Sequence, residues 1–227
     1  MLGFLHTSPV HVASFDRLLC RFGPDLAVRH EVRPDLLDAV VSAGAITDSV
    51  RLATAAAVAS LASAGARVIV CTCSTLGGLA EASPAAGALV LRIDRAMAER
   101  AVASGGRVLV TAALASTLPP TVELLRQVSR ETGRAVELVE ALCRDAWPLF
   151  EAGQFSSYAT RIAEIVEREV RAGDTVVLAQ ASMAPAADLL RHLGVAVLSS
   201  PELGVEAAVS RYRALAASGH DRHEPRS

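Results

Sequence analysis

Eight short apolar runs punctuate the chain: Gly3–His6, Ala27–Val32, Arg67–Thr72, Ala88–Leu91, Arg107–Thr111, Ala135–Val139, Thr175–Ala179 and Val195–Leu198. They are rich in Leu and β-branched residues, and several are continuously apolar rather than alternating. Successive side chains of a strand point to opposite faces, so a continuous apolar run fits a strand covered on both sides. Helical patterns lie between them. Ile46–Ala64 is Ala-rich with a Thr47-Asp48 start, and Pro119–Glu131 opens on a proline, which suits a first helical turn. Tyr158–Arg171 and Met183–Leu193 follow. Strands alternating with helices predict βαβ units, an α/β protein and parallel sheet.

The spacing of the runs repeats. First to third spans about 64 residues among the first four and about 68 among the last four. First to second and third to fourth also agree to within a few residues, which points to an internal structural repeat. A single eight-stranded doubly wound sheet is the alternative. At residue level Arg67–Cys73 (RVIVCTC) lines up with Asp174–Gln180 (DTVVLAQ). Both run into small, polar stretches, Ser74–Gly77 and Ala181–Ala184. Cys73 and Gln180 are therefore equivalent. Ligands of open α/β sheets bind beyond the carboxyl ends of the strands, so two facing halves put Cys73 and Gln180 on opposite walls of one cleft.

Cys73 is the leading candidate for chemistry. It follows a strand and precedes a predicted helix start, where amides and the helix dipole favour a thiolate. Ser74 and Thr75 offer hydroxyls to it or to a substrate carboxylate. A buried structural cysteine is the competing reading, since free Cys is among the most buried residue types. Cys71 and Cys73 share a strand face, which raises a redox or metal role, but two thiolates alone make a poor metal site. Cys71 reads as core, and Cys20 and Cys143 as structural. Two hydroxyl-bearing loops end equivalent strands: His6-Thr7-Ser8-Pro9, and Thr111–Thr117 with its Ser116-Thr117. Such loops suit a small anion, or simply cap helices. His6 and His11 carry no partner motif and read as structural. Asp94, Asp145 and Glu151 are scattered carboxylates. No strand is followed by GxGxxG, and HExxH, GxSxG and EF-hand patterns are missing.

Composition narrows the classes. Hydrophobic residues make up 52% and aromatics only 4%, so the core is built from Ala, Val, Leu and Ile. The formal net charge of −2 gives no electrostatic case for nucleic acid or an anionic membrane surface. Every long basic side chain is Arg; without Lys, a Schiff base, a lysine-linked pyridoxal cofactor and a Walker-type phosphate loop are excluded. Four cysteines in 227 residues do not form a disulfide framework. The start MLGFLHTSPV lacks a basic segment followed by a long apolar one, and no apolar run approaches ~20 residues, so the expected compartment is the cytoplasm. The polar, Pro-containing end, 217–227, is expected to be disordered.

Taken in order, several segments resemble the aspartate/glutamate/hydantoin racemase superfamily across roughly Gly3 to Ala216. They are His6-Thr7-Ser8, Val68–Thr75 (VIVCTCST), Arg92–Met97 (RIDRAM), Val110–Thr117 (VTAALAST) and Val177–Met183 (VLAQASM). The resemblance implies two pseudo-symmetric lobes, each a four-stranded parallel sheet flanked by helices, with the active site in the cleft between them. It implies a first lobe of 1–94 plus 203–216, a second of 95–202, and a homo-oligomer. Racemases of this superfamily use two cysteines on opposite faces of a substrate α-carbon, without cofactor or metal. Cys73 matches the first. Gln180 stands where the second belongs, and an amide exchanges no proton at ordinary pH, so symmetric two-base racemisation is not expected. Maleate isomerases and arylmalonate decarboxylases are further branches that the chain resembles; the isomerases use the first-lobe cysteine as a nucleophile and also need the second, and the decarboxylases work with one cysteine, on the second-lobe side.

The expectation is then a cofactor-independent enzyme acting next to a carboxylate or carbonyl of a small acid. Cys73 carries the reaction (isomerisation, decarboxylation or C–X cleavage), with Thr7, Ser8, Ser74, Thr75, Ser116, Thr117, Gln180 and Ser182 around the substrate. A non-catalytic small-molecule binding protein and a redox protein using Cys71 and Cys73 are the alternatives.

Overall fold

The computed structural model describes residues 1–220, the last two by backbone alone. All eight apolar runs form strands: β1 Leu2–His6, β2 Val28–Val32, β3 Val68–Cys71, β4 Leu89–Arg92, β5 Gly106–Ala112, β6 Val136–Leu142, β7 Thr175–Leu178 and β8 Ala196–Ser199. They make two separate parallel sheets, ordered β2-β1-β3-β4 and β6-β5-β7-β8. The single eight-stranded sheet is thereby ruled out, and the repeat is a duplication of one topology. Ten helices connect the strands: α1 Val10–Phe22, α2 Pro34–Ala43, α3 Asp48–Ser63, α4 Gly77–Glu81, α5 Arg95–Ser104, α6 Leu118–Thr132, α7 Trp147–Glu151, α8 Phe155–Glu169, α9 Ala186–Leu189 and α10 Ser200–His220.

Each sheet is covered on both faces, as the continuous apolar runs require. Leu5, Ile69 and Cys71 pack on one side of the first sheet, and Leu2, Phe4, Val68 and Val70 on the other. The second sheet divides the same way, Leu109, Val176 and Leu178 against Val108, Val110 and Val177.

The register makes the duplication residue-specific. Leu5 sits opposite Cys71 in one sheet, and Thr111 opposite Leu178 in the other. Just beyond these pairs the Thr72 amide donates to the Leu5 carbonyl at 3.0 Å, and the Ala179 amide to the Thr111 carbonyl at 2.9 Å. One residue further, Cys73 and Gln180 are matched. Thr7 and Ser8 likewise match Ala113 and Leu114.

Three expectations need correction. Met183–Leu193 is not one helix: the single-turn α9 lies between 3-10 turns at Ala181–Met183 and Arg191–Leu193. Pro185 has no amide to bond back four residues, and the segment closes through i−3 bonds such as Ala187 to Ala184 and Leu190 to Ala187. The disordered tail does not begin at Ala217, because α10 continues to His220; residues 221–227 lie outside the described residues. Earlier in that helix Val205, Ala208 and Val209 are buried against the first sheet. Arg67 also donates to the Leu215 carbonyl at 2.8 Å, and a helix so anchored extends readily past its last core residue. Finally, Asp94 is not a lone carboxylate. It takes a buried two-pronged bond from Arg92 at 2.6 and 2.9 Å, and the same guanidinium reaches the Pro120 carbonyl of α6 at 3.2 Å, joining the lobes. No described helix is long and apolar enough to cross a membrane.

Candidate active site

The carboxyl ends of both sheets open into one cavity of about 410 Å³. Thr7, Ser8, Cys73, Ser74, Thr75, Thr117, Gln180 and Ser182 all line it. Ser116 does not; its hydroxyl is buried without a partner within the 3-10 turn Ala115–Thr117.

Two of the expected anion-holding hydroxyls have a structural duty as well. Ser74 Oγ donates to the Ala179 carbonyl at 2.7 Å, and Thr75 Oγ1 bonds Thr117 Oγ1 at 3.0 Å. Both bonds cross from one lobe to the other at the floor of the cavity. They tie the two walls together and leave Ser8 as the freer hydroxyl, since the Thr7 hydroxyl acts on the Cys73 sulfur. Ser182 Oγ bonds the buried Tyr158 hydroxyl at 2.9 Å.

Cys73 is 9% exposed and faces the cavity from the end of β3. Burial pushes its thiol up from the ordinary range. The Thr7 and Thr75 hydroxyls and the Leu76 and Thr75 amides near the sulfur pull the other way without prevailing. This corrects the expectation of a lowered thiol. The helix that follows, α4, is only five residues long, so its dipole is weak, and desolvation wins. The resting group is a thiol with donors already aimed at the anion it would become.

Cys71 belongs to the core: it is fully buried, its thiol points at the Cys73 carbonyl at 3.6 Å, and burial raises its pKa strongly. Cys71 and Cys73 are both free. Cys143 is buried as expected of a structural residue, whereas Cys20 is exposed on α1 and fills no core. No group of three or more His, Cys, Asp or Glu capable of holding a metal ion is assembled among the described residues.

Gln180 faces Cys73's side of the cavity but spends its oxygen internally. Its Oε1 accepts from the Ala113 amide at 2.6 Å and the Leu114 amide at 3.3 Å. Only the NH₂ group remains for a ligand.

His6 is fully buried at the end of β1 and is not a cavity residue. Its Nδ1 meets Thr72 Oγ1 at 2.9 Å and its Nε2 meets His30 Nδ1 at 2.8 Å; His30 in turn reaches exposed Asp16 at 3.0 Å. Burial, reinforced by His30 and His11, lowers its pKa to about 3. His11 does line the cavity, and burial lowers it to about 4, so both rings are neutral at pH 7.

The rim was not foreseen. After β2, α2 contributes Pro34, Leu37 and Asp38; after β6, the matching α7 contributes Trp147, Phe150 and Glu151. Each lobe thus supplies an apolar residue followed by an acid. Phe150 stacks on Trp147 at 4.9 Å and lies 5.5 Å from Phe155, which closes the aromatic wall. A compositional signal existed: Trp147, Phe150, Phe155 and Tyr158 fall close together in a chain with 4% aromatics.

A family model described as Asp/Glu/Hydantoin racemase matches residues 28–208. The chain belongs to the Asp/Glu/hydantoin racemase family. No curated protein sequence matches it. Among solved structures it is similar to the aspartate racemase of Picrophilus torridus, with TM-score 0.66 and 14% identity over 93% of each chain. A glutamate racemase from Francisella tularensis, solved with D-glutamate, matches with TM-score 0.66 and 14% identity over 96% of this chain and 81% of that one. An arylmalonate decarboxylase matches with TM-score 0.50 and 18% identity over 92% and 90%. At these identities the likeness is one of fold. Cys73 and Gln180 stand at matched places at the ends of the two sheets and both line the cavity.

Proposed function

We propose that the protein is a cofactor-independent enzyme acting at the carbon α to a carboxylate or carbonyl of a small acid, with Cys73 as its one reacting residue. The first lobe is taken as 1–94 plus 203–216 and the second as 95–202, with substrate between them. The observation that carries this reading is the matched pair Cys73 and Gln180 on one cavity, only one of which can exchange a proton. Thr7, Ser8, Ser74, Thr75 and Thr117 hold the anionic end, and the Gln180 NH₂ donates to the substrate's other polar group. Because burial keeps Cys73 protonated, the role that fits it best is proton donor. A carboxylate on the α-carbon leaves as CO2, its bonding pair stays on that carbon and spreads into the neighbouring carbonyl, and the Cys73 proton is delivered there. Donors from Thr7, Thr75 and Leu76 stabilise the thiolate until water returns the proton.

Turnover in D₂O by wild type and Cys73→Ser, over a panel of small dicarboxylates, aryl-substituted acids and hydantoins, tests the proposal. The expected result is deuterium at the α-carbon and loss of at least a hundredfold in kcat in the variant. Undiminished turnover by Cys73→Ser refutes it. A ligand-binding protein on the same scaffold is the second reading, favoured by the Gln180 carboxamide at the matched site. Tight binding by calorimetry, with no product over days at high protein concentration, would select it.

A further inference from the structure

We infer that the cavity takes acids with one anionic group and a bulky apolar or aromatic body, and turns away small dicarboxylates. The inference rests on reading the cavity as the binding site for a small acid, and it names the class of acid.

The duplicated fold creates two matched seats for an anion, the Thr7–Ser8 turn in one lobe and the Ala113–Leu114 turn in the other. The second is filled. Gln180 Oε1 takes both of its amides, at 2.6 and 3.3 Å, so a carboxylate arriving there must displace a well-made pair of bonds. The first seat has no such plug. Its match for Gln180 is Cys73, whose sulfur is a weak acceptor and leaves strong donors to a ligand. One anionic end is therefore accommodated.

Beyond that seat the second wall offers only the neutral Gln180 NH₂ and the Ser182 hydroxyl, already bonded to Tyr158, so a second anionic group meets no cation there and acids at the rim. The charged side chains there, among the described residues, are Asp38 and Glu151, one from each lobe, and His11 is neutral. Both acids are exposed, so their repulsion of a second carboxylate is modest and screened by solvent, but nothing at the rim attracts one. The same end of the cavity offers apolar surface instead: Pro34 and Leu37 on one side, Trp147, Phe150 and Phe155 on the other. Trp147 and Phe150 are stacked within 24° of parallel, which leaves a flat face and an edge to receive a planar group. The volume of about 410 Å³ accommodates a phenyl-bearing acid.

A matched pair of ligands tests this: 3-phenylpropionate and succinate, which differ by a phenyl group in place of a second carboxylate. Trp147 is the only tryptophan of the chain and lines the cavity, so its fluorescence reports occupancy directly. We expect 3-phenylpropionate to bind at least tenfold more tightly. Phe155→Ala, at a position already 47% exposed, should weaken 3-phenylpropionate about fivefold and leave succinate unchanged. The double variant Asp38→Asn, Glu151→Gln should improve succinate by roughly threefold and leave 3-phenylpropionate unchanged. Succinate binding as tightly as 3-phenylpropionate, or neither ligand altering Trp147 emission up to about 10 mM, overturns the inference. Either result is independent of the role of Cys73, which turnover by Cys73→Ser decides separately.

Discussion

Acidification from pH 7 to 4.5 should destabilise this protein substantially through His6. The ring is fully buried between β1 and its neighbours, with both nitrogens engaged, and its pKa falls from 6.5 to about 3. The unfolded chain keeps the ordinary value, so between those limits the unfolded state binds the extra proton. Stability is complete above pH 6.5 and is lost as pH falls toward the folded value. At pH 4.5, two units below the unfolded pKa, the loss attributable to His6 is about 3 kcal/mol, from about 1.4 kcal/mol per unit. His11, lowered to about 4, adds a comparable amount over the same interval. The sum is a large part of the 5–15 kcal/mol that holds a typical domain together. Urea unfolding at fixed ionic strength, followed by circular dichroism from pH 7 to 4.5, measures it. His6→Gln will be less stable at pH 7, but its stability should fall with pH by about 3 kcal/mol less than wild type. His11→Gln provides the same comparison if the first variant is too weak to purify. A flat wild-type profile across this interval, or an undiminished slope in both variants, refutes the argument.

Removing the acceptor at Gln180 should strand the Ala113 and Leu114 amides: Gln180→Leu is expected to cost about 2 kcal/mol in urea unfolding, and Gln180→Glu, which keeps an acceptor, clearly less. Gly204→Ala places a Cβ 2.3 Å from the Ile93 carbonyl where α10 crosses the end of β4, and should cost at least about 2 kcal/mol by the same measurement; an unchanged midpoint would mean that α10 shifts freely. Because burial raises the Cys73 thiol, iodoacetamide at pH 8 should label exposed Cys20 before Cys73, as read by peptide mass spectrometry; faster labelling of Cys73 would mean a thiolate at rest.

What the sequence made legible was whatever repeats. Strands buried on both faces leave continuous apolar runs, so β1 to β8 were all found, and their spacing exposed the duplication. The match of Cys73 to Gln180 came from the same alignment and is reproduced by the register of Leu5 with Cys71 and Thr111 with Leu178. Properties set by three-dimensional surroundings were less accessible. Helix α1 was not read, because its exposed face interrupts the apolar pattern with Arg17 and Arg21. The direction of the Cys73 shift was misread, because strand-to-helix position suggests a dipole and says nothing of desolvation. Ser116 was included for its hydroxyl, yet it is the neighbouring Thr117 that reaches the cavity, bonded to Thr75.

The duplication also explains why the site's asymmetry is informative. A two-fold scaffold supplies each wall of the cavity with the same parts: a strand end, a hydroxyl or amide seat, and a rim helix that carries an acid. Differences between the walls are then departures from a common template and not accidents of packing. There are two. One wall carries a thiol where the other carries a carboxamide that closes its own seat. One rim is Pro34 and Leu37, the other Trp147 and Phe150. Both departures have the same consequence, since a closed seat and an aromatic rim on the second lobe leave that side fit for apolar contact. Of the matched pair, the Cys73 thiol can exchange a proton and the Gln180 carboxamide cannot.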